Sequence, residues 1–262
     1  MLTENTLFGV EDKVSYAIKQ LQLHEPKDGY YVAFSGGKDS CVILDLIKRS
    51  GVKYDVHHNL TNVEPPELIY FMREKYPDVI QENPERTMWQ LIIDFCYPPT
   101  RLARYCCKEL KERGGDGRYK VTGIRHEESL KRSKRKFMEP CARNTGTRYL
   151  NIIIDWTEQE VWEYIHKYNV PYCGLYDEGW KRIGCLMCPY ASDEQRRYEA
   201  KRYPKFASQY ERTFDRMIQH RREKGMNVEN WNDGKSCFDW WINSYRDKES
   251  NEPELFENIN YV

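Results

Sequence analysis

Ser35, Gly36, Gly37, Lys38, Asp39 and Ser40 follow one another between two apolar runs, at residues 30–34 and 42–47. The first run has the length and the Tyr/Val content of a short buried strand, and the second has the dense apolar stripe of a helix. Six small or charged residues therefore stand where a strand hands over to a helix. There the first helical amides have no internal partners, glycine lets the backbone come close, and the helix field favours an anion. A phosphate group held by the loop and Lys38 is the chemistry this pattern predicts. An ordinary βα turn is the plain alternative, but it leaves Lys38, Asp39 and the flanking serines without a purpose. The spacing is not that of a Walker A loop, which needs G-x-x-x-x-G-K-[ST].

A second set of reactive side chains is sulfur. Of nine cysteines, Cys106 and Cys107 are adjacent and Cys185 and Cys188 form a Cys-x-x-Cys, a combination that suggests metal or redox chemistry in a chain without a secretion signal. On an α-helix, neighbouring side chains diverge by about 100°. Cys106 and Cys107 thus reach separate irons of a cluster more readily than one small tetrahedral ion. Zinc stays as the alternative, because four cysteines also make a structural zinc set. The remaining reading is four small buried thiols. Cys41, Cys96, Cys141 and Cys173 carry no pattern and are expected to pack. Cys237 lies beside Lys235, which favours a thiolate, but among Phe238, Trp240 and Trp241 it reads first as a core residue.

These groups need a frame. Strands are expected at 30–34, 54–60, 118–124 and 149–154, and helices at about 40–49, 66–76, 87–95 and 102–113. That alternation predicts a Rossmann-like parallel sheet with helices on both faces, its ligand beyond the carboxyl ends of the strands. Residues 35–40, 59–66 and 123–129 all follow predicted strands, so one site could gather them. Thr157 and Glu160 form a capping-box pattern for a helix that stops before Pro171. After Pro189 the sequence turns charged and aromatic and reads as two helices broken near Pro204. The expected division is a nucleotide-binding α/β domain at 1–190, carrying the four-cysteine site, and a helical extension at 191–262.

Five segments in order resemble one family. "SGGKDS" resembles the PP-loop of the adenine nucleotide alpha hydrolases. "NLTNVEPPELIYFMRE" sits where phosphoadenosine phosphosulfate (PAPS) reductases carry Asp-Thr-Gly…Phe-Pro-Glu-Thr, with Thr61, Pro66 and Glu67 retained. "TGIRHEESLKRS" is similar to their Gly-x-Arg…Glu-Ser…Arg segment, through Gly123, Arg125, Glu128, Ser129 and Arg132. "IIDWTEQEVWEYI" and "LYDEGWKRIGCLMCP" resemble two further segments. The cysteine pattern resembles the [4Fe–4S] site of adenosine phosphosulfate (APS) reductases. This resemblance covers about residues 28 to 190. It implies an adenine nucleotide, either PAPS, APS or ATP, held by Ser35, Gly36, Gly37, Lys38, Asp39, Ser40, Thr61, Gly123, Arg125 and Ser129. Lys38, Asp39, Arg125, Arg132 and Cys237 are the candidate catalytic residues. Cys106, Cys107, Cys185 and Cys188 are the candidate metal ligands.

Two activities follow from the resemblance. One is reduction of a sulfonucleotide to sulfite by a thiol, from Cys237 or a thioredoxin-like donor. The family's Glu-Cys-Gly-x-His type tail motif does not occur here, which weakens Cys237 as the nucleophile. The other is an ATP-dependent sulfurtransferase in which Asp39 helps position Mg²⁺, pyrophosphate leaves, and an RNA, DNA or small-molecule acceptor is thiolated. A nucleotide-binding module without chemistry is the third and weakest. Composition narrows partners: 41 basic and 41 acidic residues cancel, so only local patches such as the basic run 131–136 could meet a nucleic acid. No apolar run reaches membrane-spanning length, and the start lacks a secretion-signal pattern, so a cytoplasmic protein is expected.

Overall fold

The computed structural model describes residues 2–6, 9–141 and 146–243. In chain order its strands and α-helices are β1 (Thr3–Thr6), β2 (Gly9–Asp12), α1 (Lys13–Leu23), β3 (Tyr30–Ala33), α2 (Lys38–Ser50), β4 (Tyr54–Asn59), α3 (Pro66–Lys75), β5 (Ile80–Glu82), α4 (Met88–Asp94), β6 (Tyr119–Val121), β7 (Met138–Pro140), β8 (Arg148–Leu150), α5 (Glu158–Tyr168), α6 (Asp193–Arg202), α7 (Pro204–Glu223) and α8 (Gly234–Asn243). They fall into two compact units. The second takes Thr61–Val63, Glu85–Glu109 and the described residues from Cys185; the first takes the rest. A cut at 190 therefore does not describe the division, because α4 and the Cys106–Cys107 turn belong with the C-terminal helices. Residues 244–262 of the expected extension lie outside the described residues.

The first unit is built on a six-stranded sheet in the order β5-β4-β3-β6-β8-β7, parallel except for β7, which runs antiparallel to β8. β3 is the pivot: β4 pairs on one side and β6 on the other, so the strand order reverses beside it. A ligand site is expected beyond the carboxyl end of such a strand. β3 is sealed by Tyr30 and Val32, both fully buried. α2 buries Val42, Ile43, Leu44, Leu46 and Ile47 to 1% exposure or less. Each such side chain stabilises the fold by roughly 1.5–3 kcal/mol relative to an exposed one. α2 ends at Gly51 in the left-handed region, φ +72°, the usual helix stop. α5 starts on the predicted capping box, with Thr157 and Glu160 bonded reciprocally.

Several elements depart from expectation. The run 149–154 forms a strand only over Arg148–Leu150, because the chain turns at the fully buried Asn151, with the Ile154 amide bonding back to the Asn151 carbonyl at 3.1 Å. β5 and β7 are three-residue strands, too short to show a period of two. The predicted helix 102–113 is replaced by a π-helical turn, Cys107–Lys111. Gly114 and Gly115, at φ +72° and +64°, stop any continuation.

In the second unit the aromatic residues do the packing. Trp241 is fully buried. It lies 4.8 Å from Tyr210 and 5.5 Å from Phe214, ring centroid to centroid, and its indole N–H donates to the Pro99 carbonyl at 2.6 Å. Trp89 meets Tyr210 edge-on at 4.9 Å. A buried tryptophan has a large apolar payload and one donor to satisfy, and both needs are met. Pro204 starts α7 directly after α6, as predicted. Among the described residues no helix is long and apolar enough to cross a membrane.

Candidate functional site

The loop leaving β3 is shaped by its own serines and glycines. Gly36 takes φ +73°, and a Cβ there would lie 2.7 Å from Leu68 Cδ1 and 3.0 Å from Met72 Sδ. Both conformation and space require glycine. Ser40 Oγ donates to the Gly37 carbonyl at 2.8 Å and lies 3.2 Å from Ser35 Oγ. Ser35 Oγ in turn accepts the Gly37 N–H at 3.4 Å. Gly37 is the N-cap of α2 with no side chain to cap it, and the Lys38 N–H is taken by the Tyr176 hydroxyl at 3.0 Å.

Lys38 is only 5% exposed. Its ammonium lies 3.2 Å from Glu158 Oε1, 3.4 Å from the Lys181 carbonyl and 5.4 Å from the centre of the Tyr176 ring. Burial of an ammonium is tolerated here because carboxylate, carbonyl and ring face all receive it. Sequence reasoning did not single out Tyr176, Glu158 or Lys181. The only signal for them was that they lie within the two matching segments around Trp156 and Leu175.

Asp39 accepts from Arg125 Nε at 2.6 Å. Arg125 is 4% exposed and also reaches Glu127 Oε2 at 2.8 Å and the Trp156 carbonyl at 3.3 Å. Burial alone would lower its proton affinity, but the charges and hydrogen bonds of Asp39, Glu128 and Glu127 hold the guanidinium above its usual value. Gly123 makes this approach possible, since a Cβ there would be 3.1 Å from the Asp39 Cβ. Arg132 pairs with Glu128, and Ser129 Oγ accepts the Arg132 N–H at 3.2 Å. Ser35, Gly36, Gly37, Lys38, Asp39, Ser40, Gly123 and Arg125 are thus brought together. Arg132 and Ser129 form a separate turn whose link to the others is Glu128, which accepts the Arg125 N–H at 3.0 Å.

Thr61 belongs to the second unit, where its hydroxyl lies 3.3 Å from Cys185 Sγ. All four candidate ligand cysteines are in that unit and each is half-buried. A hydrogen bond with Cys107, then burial, then the charges that Cys107, Cys185 and Cys188 would carry push the Cys106 thiol far above its usual value. The Cys106 thiol therefore lies within electrostatic reach of the other three. Among the described residues no three His, Cys, Asp or Glu side chains converge as they would on one metal ion.

The span from the first loop to the second cysteine pair decides the family. Residues 29–191 match the phosphoadenosine phosphosulfate reductase domain. The chain belongs to the phosphoadenosine phosphosulfate reductase family. An adenosine 5'-phosphosulfate reductase of Bacillus anthracis is 31% identical over 205 residues, covering 72% of this chain and 88% of the relative. One of Bacillus mycoides is 29% identical over 208 residues, covering 71% and 85%. In fold, the PAPS reductase of Candida auris, crystallised as a phosphate complex, is similar with a TM-score of 0.51 at 18% identity, over 66% of this chain and 87% of that one.

In this PAPS reductase family member Cys237 is fully buried on α8, and burial pushes its thiol well up, with Arg221 opposing only in part. That is the environment of a packing residue, as its aromatic neighbours suggested. Burial likewise pushes Cys41 up to about 12, consistent with an inert core thiol.

Proposed function

We propose that the chain reduces a sulfonucleotide, APS or PAPS, to sulfite at the expense of a thiol. The observation that carries this is the extent of the family match, 29–191, which contains the whole loop 35–40, Arg125 and all four cysteines. In this reading the phosphate-side oxygens of the nucleotide lie on the loop amides and Lys38, at the N-terminus of α2. Lys38, already dehydrated by burial, offsets the negative charge that grows on the departing phosphate, and preorganised charge of this kind acts without reorganisation. Arg125 is occupied by Asp39 and Glu127, so it serves as a positioning residue that orients Asp39. A thiolate attacks the sulfur; an S–S bond forms, the S–O bond breaks, and the nucleoside phosphate leaves with the electron pair. A second thiolate then attacks the thiol sulfur, releasing sulfite and leaving a disulfide. Because Cys237 is buried, both thiols are assigned to a donor of thioredoxin type.

Cys106, Cys107, Cys185 and Cys188 would hold a [4Fe–4S] cluster. An adjacent pair of thiols with a Cys-x-x-Cys suits a multi-iron centre, whose separate irons take separate thiolates, better than a single zinc ion. When bound, such a cluster supplies a redox-capable metal centre and cross-links the 106–107 turn to the 185–188 loop.

The test is anaerobic turnover of APS and PAPS with reduced thioredoxin or a small dithiol, following sulfite and nucleoside phosphate. Equal release of the two, abolished by Lys38→Met and retained by Cys237→Ser, is the expected result. No sulfite from either nucleotide overturns the reading, and acceptor-dependent pyrophosphate release from ATP would assign the transferase activity instead.

A further inference from the structure

Two charged side chains of α6 are buried beside the Cys-x-x-Cys loop: Arg196 is 0% exposed and Glu199 is 4% exposed. Burying a charge is costly unless it is paired or hydrogen-bonded, and here both side chains reach the backbone of the same residue. Glu199 Oε2 accepts the Met187 N–H, and Arg196 Nε donates to the Met187 carbonyl at 3.4 Å. Gln195 Nε2 donates to the other oxygen of Glu199 at 2.9 Å. Arg196 Nη2 donates to the Trp241 carbonyl at 2.5 Å, and the guanidinium lies 4.7 Å from the Trp241 ring centre. The pair is thereby tied to the aromatic core of the second unit.

Met187 stands between Cys185 and Cys188, is fully buried, and has φ +56°. A residue with a Cβ is uncommon in the left-handed region and holds it only where surrounding contacts over-determine it. On either side, the Leu186 N–H donates to the Val63 carbonyl at 2.7 Å and the Ala191 N–H to the Cys188 carbonyl at 2.9 Å. The α6 pair supplies the two bonds at the strained residue itself.

We infer that Arg196 and Glu199 are positioning residues that clamp Met187 in the left-handed conformation and so set the 185–188 loop in its ligating shape before a metal centre is loaded. This inference rests on the proposed metal-binding role of the cysteines, but the clamp can be read without metal. Outer partners that hold ligands in place typically change metal affinity by about 10–100-fold.

The experiment uses the full chain purified without oxygen, comparing wild type with Glu199→Gln, Glu199→Leu and Glu199→Leu combined with Met187→Gly. Iron and acid-labile sulfide per chain, the visible absorption of the cluster and amide exchange at Met187 are measured, with thermal unfolding as the folding control. Glu199→Gln, which keeps an acceptor, should load like wild type. Glu199→Leu should load at least about ten-fold more weakly in a titration with iron and sulfide. Adding Met187→Gly should restore most of the loading, since glycine takes positive φ without help; a merely structural defect would not be repaired this way. Full loading of Glu199→Leu, or a folded double variant that stays empty, overturns the inference. If Glu199→Leu does not fold, the chelator-treated wild type still decides: a Met187 amide exchanging as fast as an unstructured one overturns the clamp. A wild type that takes up no iron or sulfide removes the metal reading, while protection of that amide would show the clamp itself intact.

Discussion

At the scale of single residues, Lys38 and Tyr176 carry opposite expectations. Lys38→Met removes a dehydrated charge at the first residue of α2, and kcat/KM for the sulfonucleotide should fall roughly 100-fold, the usual cost of one transition-state donor. Lys38→Arg should not rescue it, because a planar fork does not replace a compact ammonium in a buried slot. Tyr176 holds the Lys38 N–H at 3.0 Å, the position a phosphate oxygen would take. Tyr176→Phe should therefore tighten binding of inorganic pyrophosphate by about 2–10-fold, the worth of one ordinary hydrogen bond. Weaker binding in a direct titration would mean that the hydroxyl stays in place and donates to the ligand.

At the scale of elements, two glycines report how closely the secondary structures approach. Gly36→Ala forces a left-handed residue against flexible side-chain ends and should cost about 1–2 kcal/mol. Gly234→Ala places a Cβ 2.1 Å from the Glu211 carbonyl oxygen, where α7 and α8 meet, and the backbone there has less room to give. Its cost should be the larger, about 3 kcal/mol, and urea unfolding of both variants ranks them. The sheet face carries a charge network as well. Asp55 on β4 bonds to both Arg118 and His57, and His57 Nδ1 lies 2.6 Å from Glu82 Oε1. Burial alone would raise the Asp55 carboxyl, but the hydrogen bonds of Arg118, then His57, hold it below its usual value. A depressed carboxylate stabilises the fold above its unfolded pKa of about 3.9, and that contribution is lost as pH falls through the folded value. Asp55 is about a third exposed, so Asp55→Asn should cost under about 1 kcal/mol at pH 7. In urea melts the difference from wild type should shrink once the pH is below about 4.

At the scale of the whole molecule, the cysteine set predicts that metal contributes to folding of the second unit. Cys185→Ser should lose iron and sulfide together, and chelation of the wild type should lower its thermal midpoint while the variant's stays unchanged. Equal midpoints before and after chelation would mean the cysteines only pack.

The glycine turn between β3 and α2, the parallel sheet, the capped α5 and the break at Pro204 were legible in the sequence, because each depends on local chemistry: glycine permissiveness, apolar period, a side chain three residues from its amide, a missing N–H. The π-helical turn at Cys107–Lys111 was not, since its apolar spacing passes for an α-helix and the two glycines beyond it act only in context. The partners of Lys38 and Arg125 were equally hidden. Glu158, Lys181 and Tyr176 come from more than 100 residues away, and Asp39 meets Arg125 across 86 positions. The sequence by itself thus determined which chemical groups the protein possesses and the family to which they belong. Tertiary structure decided which of those groups are already spent on one another: Arg125 on Asp39, Thr61 on Cys185, Cys237 on the core. Hydrogen bonding and burial are set by distance in space, which spacing along the chain does not encode.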